Sequence, residues 1–301
     1  MTNAKSLEKD DPDGNDLKKE IAKHEHLTNT LCAHVNEQCA DALFVLASLY
    51  YDQALDRYIK AREEYAKSMD DKGIPPRNKE AVNPIPDYTE SMEIYAKLIR
   101  EYSDFKDIDE AYYQVGTIYL LKGDIDSSRW AFKKVLDKAP ESRRASAAHF
   151  RLADFSIMEH DYPGAFKHLE SCKKEGLTQN NLEMVQYRKG EICFNLGEFE
   201  KAVEYFFGYI EKCDIGEYRK CEFRQEALEF MAVAFSDMPK GAEAAIVFFN
   251  IMGGRSYEDY ILYTIGLKNK AHGQTKEAIA AFQKALKKYC NTMRKGRTIE
   301  D

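Results

Sequence analysis

The sequence predicts an all-α chain, a right-handed α-solenoid of stacked antiparallel helix pairs, and three observations predict it. Small residues recur as anchors at Gly116, Ala153, Gly190, Ala232 and Gly266. The first three lie 37 residues apart, and Gly266 lies 76 after Gly190, twice 38. Twelve residues after each anchor stand Ser128, Ala165, Ala202, Ala244 and Ala278, and sixteen after stand Phe132, Leu169, Phe206, Phe248 and Phe282. Seven after stand Gly123, His160, Gly197, Pro239 and Gly273, a breaker or turn residue in four of five copies. A fixed period of this length marks units that cannot bury an apolar face alone and do so by stacking.

Each element follows from that frame. A glycine inside a helix costs roughly 1 kcal/mol against alanine, so Gly190 in GEICFNLGEFEKAVEYFFGYI calls for a packing reason. The small residues at the anchor and at offset 12 let two helices approach closely. The offset-7 residue turns the chain, and the offset-16 residue fills the space between one pair and the next. Five such pairs are expected over 109–290 and a polar tail over 291–301. Upstream, 17–36 reads as one helix and 37–108 as a distended pair. Its first helix ends near Ala47 and Tyr50–Tyr51, and its second is DYTESMEIYAKLIREYSDF. Between them a Pro-rich insertion, 70–86, excludes continuous helix, and residues 1–16 read as a disordered tail.

Composition narrows the function. Of 301 residues 44% are hydrophobic, ample for a buried core, and 32% are charged with alternating sign, as on many solvated helix faces. The net charge of −7 argues against general nucleic-acid binding, which needs concentrated Lys and Arg, so no nucleic-acid partner is expected. No run reaches the ~20 apolar residues of a membrane span, so no direct membrane insertion is expected. The seven cysteines read as reduced thiols acting as small hydrophobes. Cys213 and Cys221 flank a loop and are placed to bridge in an oxidising compartment.

Chemistry-bearing residues do not assemble into a constellation. In HEHLTNTLCAHVNEQC, His24, Cys32 and Cys39 would share one side of a continuous helix yet span more than roughly 20 Å. His26 and His34 point elsewhere, and no two ligands sit at i, i+4, so no metal site is expected. His149 takes a position that packing would fill. No GxxxxGK[ST], GxGxxG or GxSxG occurs. The expectation is no catalytic residue, no cofactor and no enzyme activity.

The frame resembles the tetratricopeptide repeat, with Tyr112, Val115, Gly116, Tyr119, Ser128, Phe132 and Pro140 at its signature positions in the clearest copy. Elsewhere Ser156 and Cys193 replace the usual Tyr, and Cys290 stands where Pro is expected. The resemblance implies a non-catalytic scaffold that binds a protein or peptide along a concave groove lined by the first helix of each pair. Three before the anchors stand Tyr113, Phe150, Tyr187, Glu229 and Tyr263. One after stand Thr117, Asp154 and Glu191, and four after stand Leu120, Ile157 and Phe194. These eleven residues are the expected partner-binding groove. The rings either pack against the neighbouring helix or anchor a bound chain, and the carboxylates, Glu226 among them, would select a basic one. Chaperone-binding relatives grip a terminal carboxylate with Lys and Asn on these rows, which this acidic and aromatic set would repel.

Stretches such as LIREYSDFKDIDEAYYQVGTIYLLKGD resemble bacterial envelope members, namely outer-membrane assembly lipoproteins, periplasmic coordinators and gliding-machinery proteins. That resemblance implies a periplasmic, complex-building role. Against it stand the first sixteen residues, which lack the apolar core of a secretory signal, and the thiols. The periplasm, for a fragment of an exported protein, stands just ahead of the cytoplasm. Two alternatives accompany the scaffold reading: a regulatory sensor of a small peptide or metabolite, and a structural protein self-assembling through its uncapped C-terminal end.

Overall fold

The computed structural model describes residues 15–34, 36–68 and 84–297. Of the expected tail over 1–16, residues 1–14 lie outside the described residues, as does most of the Pro-rich insertion, while residues 15 and 16 already belong to the first helix. Among those described there are thirteen α-helices, one 3-10 turn at Lys174–Gly176 and no strand. The chain divides into two compact units, Met1–Arg144 and Ala145–Asp301.

The first unit holds α1 (Asn15–Leu31), α2 (Glu37–Ser68), α3 (Thr89–Glu101), α4 (Ile108–Leu121) and α5 (Ile125–Lys138). α2 packs on α1 and pairs with α3, and α4 pairs with α5. Two buried serines mark the same joint in both pairs. Ser128 Oγ donates to the Gly116 carbonyl at 2.7 Å, and Ser91 Oγ donates to the Ala47 carbonyl at 2.8 Å. Four residues after each serine a sealed ring, Phe132 or Tyr95, completes the joint. Ala47 is thus the anchor of the distended pair. α2 does not end near Tyr51 as expected but runs on to Ser68, because DQALDRYIKAREEYAKS contains no helix breaker.

In the second unit, α6 (Arg143–Met158, whose first two residues fall in the first unit) is followed by α7 (Tyr162–Glu170), α8 (Gln179–Asn195) and α9 (Phe199–Asp214). Then come α10 (Arg224–Asp237), α11 (Gly241–Ile251), α12 (Glu258–Ala271) and α13 (Thr275–Arg297). The last helix continues past Cys290, where the spacing ended the final repeat. Four of the five intra-pair turns downstream of residue 109 repeat one pattern, the exception being α10–α11, where Lys240 and not the expected Pro239 is left-handed. The offset-7 residues Gly123, His160, Gly197 and Gly273 are all left-handed, with φ between 59° and 78°. In each turn that residue's N–H donates to a carbonyl three residues back, and the next N–H donates to one five back. Asp124 and Asp161 then cap the following helices by accepting from the N–H of Ser127 and Gly164.

The anchor glycines have a specific neighbour. A Cβ built on Gly116, Gly190 or Gly266 would lie 2.8, 2.7 or 2.6 Å from the ring of Phe132, Phe206 or Phe282. The offset-16 ring therefore lies on its own pair's anchor first. Phe206 also reaches the next pair, stacking on Phe230 of α10 at 5.5 Å and 8°. The glycines make room for a ring as much as for a helix.

Two corrections concern the cysteines. Residues 24–39 are not one helix: α1 stops at Leu31, and Asn36 opens α2 by accepting the Cys39 N–H at 2.8 Å. The break brings Cys32 and Cys39 to a Cα separation of 4.8 Å, joined as a disulfide. A second disulfide joins Cys213 to Cys221, and Cys172, Cys193 and Cys290 remain free. The uniformly reduced reading fails for four of the seven, since linear spacing hides what a chain reversal brings together.

Candidate partner-binding faces

In the first unit α4 carries the expected groove residues Tyr113, Thr117 and Leu120, all half-buried. The Tyr113 ring lies 5.4 Å from Phe132, under the Arg144 guanidinium at 4.8 Å. Arg144 also pairs with Glu110. Thr117 turns its hydroxyl back onto the Tyr113 carbonyl at 3.0 Å, so that hydroxyl is bonded within its own helix.

The second unit sets its first helices α6, α8 and α10 in register, and the groove residues there divide by exposure. Phe150 and Tyr187 are sealed at 3% and 2% exposure. Tyr187 is stacked by Phe223 at 4.8 Å and flanked by Phe206 at 5.8 Å. These two rings are packing residues, not an open surface. Ile157 and Phe194 are half-buried, Phe194 lying edge-on to Phe199 and Phe230. Glu229 is exposed beside Gln225, and Tyr263 on α12 is 51% exposed.

Between the sealed rings and solvent runs a line of charge. Asp154 on α6 lies 3.2 Å from Arg188 of α8 and 3.7 Å from Arg151 on its own helix. Burial pushes its carboxyl above the usual carboxylate range, and the two guanidiniums pull the other way. Arg188 also lies over the Phe150 ring at 5.8 Å. Asp154 Oδ1 has this ion pair but no directed hydrogen bond, and the Nε atoms of Arg151 and Arg188 are buried without a hydrogen-bond partner. Further along, Tyr187 and Glu191 of α8 stand near Glu226 of α10, whose negative charge acts on both. Burial raises that phenol and the Glu191 carboxyl, and the Glu226 charge raises Glu191 further against Arg188.

Sequence reasoning missed the arginines, although a signal was present. Arg151 and Arg188 each stand two residues before an anchor, and Asp154 and Glu191 each stand one after. In this repeat the minus-two residue of one first helix meets the plus-one residue of the preceding one. It missed Glu183 as well. That buried carboxylate accepts the backbone N–H groups of Arg219, Lys220 and Cys221 at 2.8, 3.3 and 3.4 Å. It thereby ties the disulfide-closed loop ahead of α10 to α8. Among the described residues no group of three or more His, Cys, Asp or Glu is arranged to hold a metal ion. No helix there is long and apolar enough to cross a membrane.

Helix pairs in one repeating register, with small anchors and ring-filled joints, define a helical-repeat protein of the kind that binds other proteins. The model of the tetratricopeptide repeat-like domain family matches residues 80–229, and that stretch is a tetratricopeptide repeat-like domain. Folds of this family are typically non-catalytic interaction scaffolds. Among solved structures, one titled "Crystal structure of MamA" is similar at 18% identity and a TM-score of 0.32, over 68% of this chain and 90% of that one. A likeness that loose carries nothing about partners or arrangement. Comparison with curated proteins gives no match.

Proposed function

We propose that this chain is a non-catalytic scaffold whose second unit binds a basic segment of a partner protein along the faces of α6, α8 and α10. The observation that carries the reading is the half-buried charge there. A face used only for stacking would be apolar, because holding Asp154, Glu191 and two arginines out of water is costly. Asp154 is matched by Arg151 and Arg188, whereas Glu191 stands near the like charge of Glu226 with Arg188 acting against it. A Lys or Arg side chain laid between those two carboxylates would supply the missing positive charge. Phe194 and Ile157 offer apolar contact beside it, and Glu229 extends the acidic rim. On the first unit, Tyr113 and Leu120 are the corresponding contacts.

Two disulfides support an oxidising compartment, in keeping with the periplasmic, envelope-complex role that the family resemblance implied.

The test is an array of 15-residue peptides, graded from lysine-rich to glutamate-rich, probed with the full chain and with Glu191→Gln/Glu226→Gln. Retention of the basic peptides by the wild type, weakened at least tenfold in the variant at an unchanged melting temperature, is the expected result. Equal retention by both proteins, or a preference for acidic peptides, would overturn the reading.

A further inference from the structure

The last helix pair carries a second, different face. Between α12 and α13 lies an open apolar depression of about 610 Å³, lined by Tyr260, Tyr263, Phe282, Ala285, Leu286 and Tyr289, with Asp259 at its edge. The repeat frame shows what this depression is, because the pair α8–α9 has the same positions. Three before the anchor, Tyr263 matches Tyr187; at offset 16, Phe282 matches Phe206; at offset 20, Leu286 matches Ile210. In α8–α9 all three are sealed, at 2% exposure or less. In α12–α13, Tyr263 is 51% and Leu286 63% exposed. The same surface is finished in one pair and open in the other.

What finishes it in α8–α9 is α10. Its Phe230 stacks on Phe206, with buried Ala227 three residues before and buried Ala234 four after, so that the helix comes close while its ring fills the joint. The segment entering α10 is held by Glu183, which takes three of its backbone N–H groups. Glu183 stands seven before its anchor, and Asp259 stands seven before Gly266. The open face therefore repeats both the apolar seat and the carboxylate at its entrance.

We infer that the α12–α13 face is a docking site for one amphipathic α-helix of a partner protein. The helix carries an aromatic residue with small residues three before and four after it, and enters with its N-terminus at Asp259. A head-to-tail second copy does not fit, since α1, NDLKKEIAKHEHLTNTL, contains no aromatic residue. The site is separate from the acidic face of α8 and α10 and stands or falls without it.

The probe is a labelled, N-acetylated peptide with the α10 sequence FRQEALEFMAVAFSD, titrated against the full chain by fluorescence anisotropy. Saturable binding is expected, weakened at least tenfold by Leu286→Asp and by replacing the central Phe of the peptide with Ala, and weakened less by Asp259→Asn. Both protein substitutions are at or beside the open face, and unchanged melting curves would verify the fold. Three results would overturn the inference. These are no saturation, equal affinity for the Leu286→Asp protein, and a concentration-dependent dimer of the peptide-free chain that Leu286→Asp abolishes, which would give the face to a second copy.

Discussion

Gly190 and Phe206 show how one residue fixes a joint. The ring lies where a Cβ on Gly190 would have to be, and it is fully buried and stacked on Phe230, so it cannot swing aside. Gly190→Ala gains helix propensity of about 1 kcal/mol and overpacks the joint by about 1–3 kcal/mol. The net expectation is a lower urea midpoint, whereas the same change at an exposed helix glycine would raise it. His149 makes a different point. Its Nδ1 lies 2.9 Å from the His168 Nδ1, and burial, with the His168 charge adding to it, pushes its pKa down to about 4 from an ordinary 6.5. The unfolded chain takes up that proton near 6.5 and the folded chain refuses it until about 4. This residue's contribution to stability is therefore complete above the upper value and lost as pH falls through the window. Asp154 and Glu191, whose carboxyls are raised, act in the opposite sense. The informative quantity is thus the difference between wild type and His149→Gln. Between pH 7 and pH 5 the wild-type urea midpoint should fall by more than that of the variant.

Among the elements, the pairs downstream of residue 109 were legible because their signal is local and repeated. Small anchors, left-handed turns and large residues recur at fixed offsets in four of the five pairs, whereas in α10–α11 the frame slips by one, to Lys240, Ala245 and Phe249 in place of Pro239, Ala244 and Phe248. The distended pair was legible at its joint, since Ala47 and Ser91 repeat the Gly116–Ser128 contact across the insertion. What escaped was whatever depends on a chain reversal or a neighbouring helix. Cys32 and Cys39 were set on one rigid helix, whereas Asn36 breaks it and brings them together. The arginines of the charge line were visible as residues, but their partner stands on the preceding first helix, and only the stacking register connects them. Exposure was equally hidden: Phe150, Tyr187 and Tyr263 share one register position, and what lies on top of each decides whether it packs or binds. The cysteine assignment has a direct check. Under denaturing conditions without reductant, the purified chain should titrate three thiols, Cys172, Cys193 and Cys290, and seven after reduction. Seven at the outset would restore the all-thiol expectation.

For the molecule as a whole, the net charge of −7 is spread over solvated helix faces, and in the proposed function the part of it that stands half-buried on α8 beside α10 gives the preference among partners. Charges of that kind set specificity and encounter rate more than bulk affinity, so binding should weaken with salt while the apolar contacts at Phe194 and Ile157 persist. The fold itself supports many partners, and in the proposed function these side chains choose among them. The most direct measurement is hydrogen exchange of the full chain with and without a saturating lysine-rich peptide from the array. Added protection concentrated in α6, α8 and α10 is the predicted result, and protection confined to other helices, or none at saturation, would contradict it.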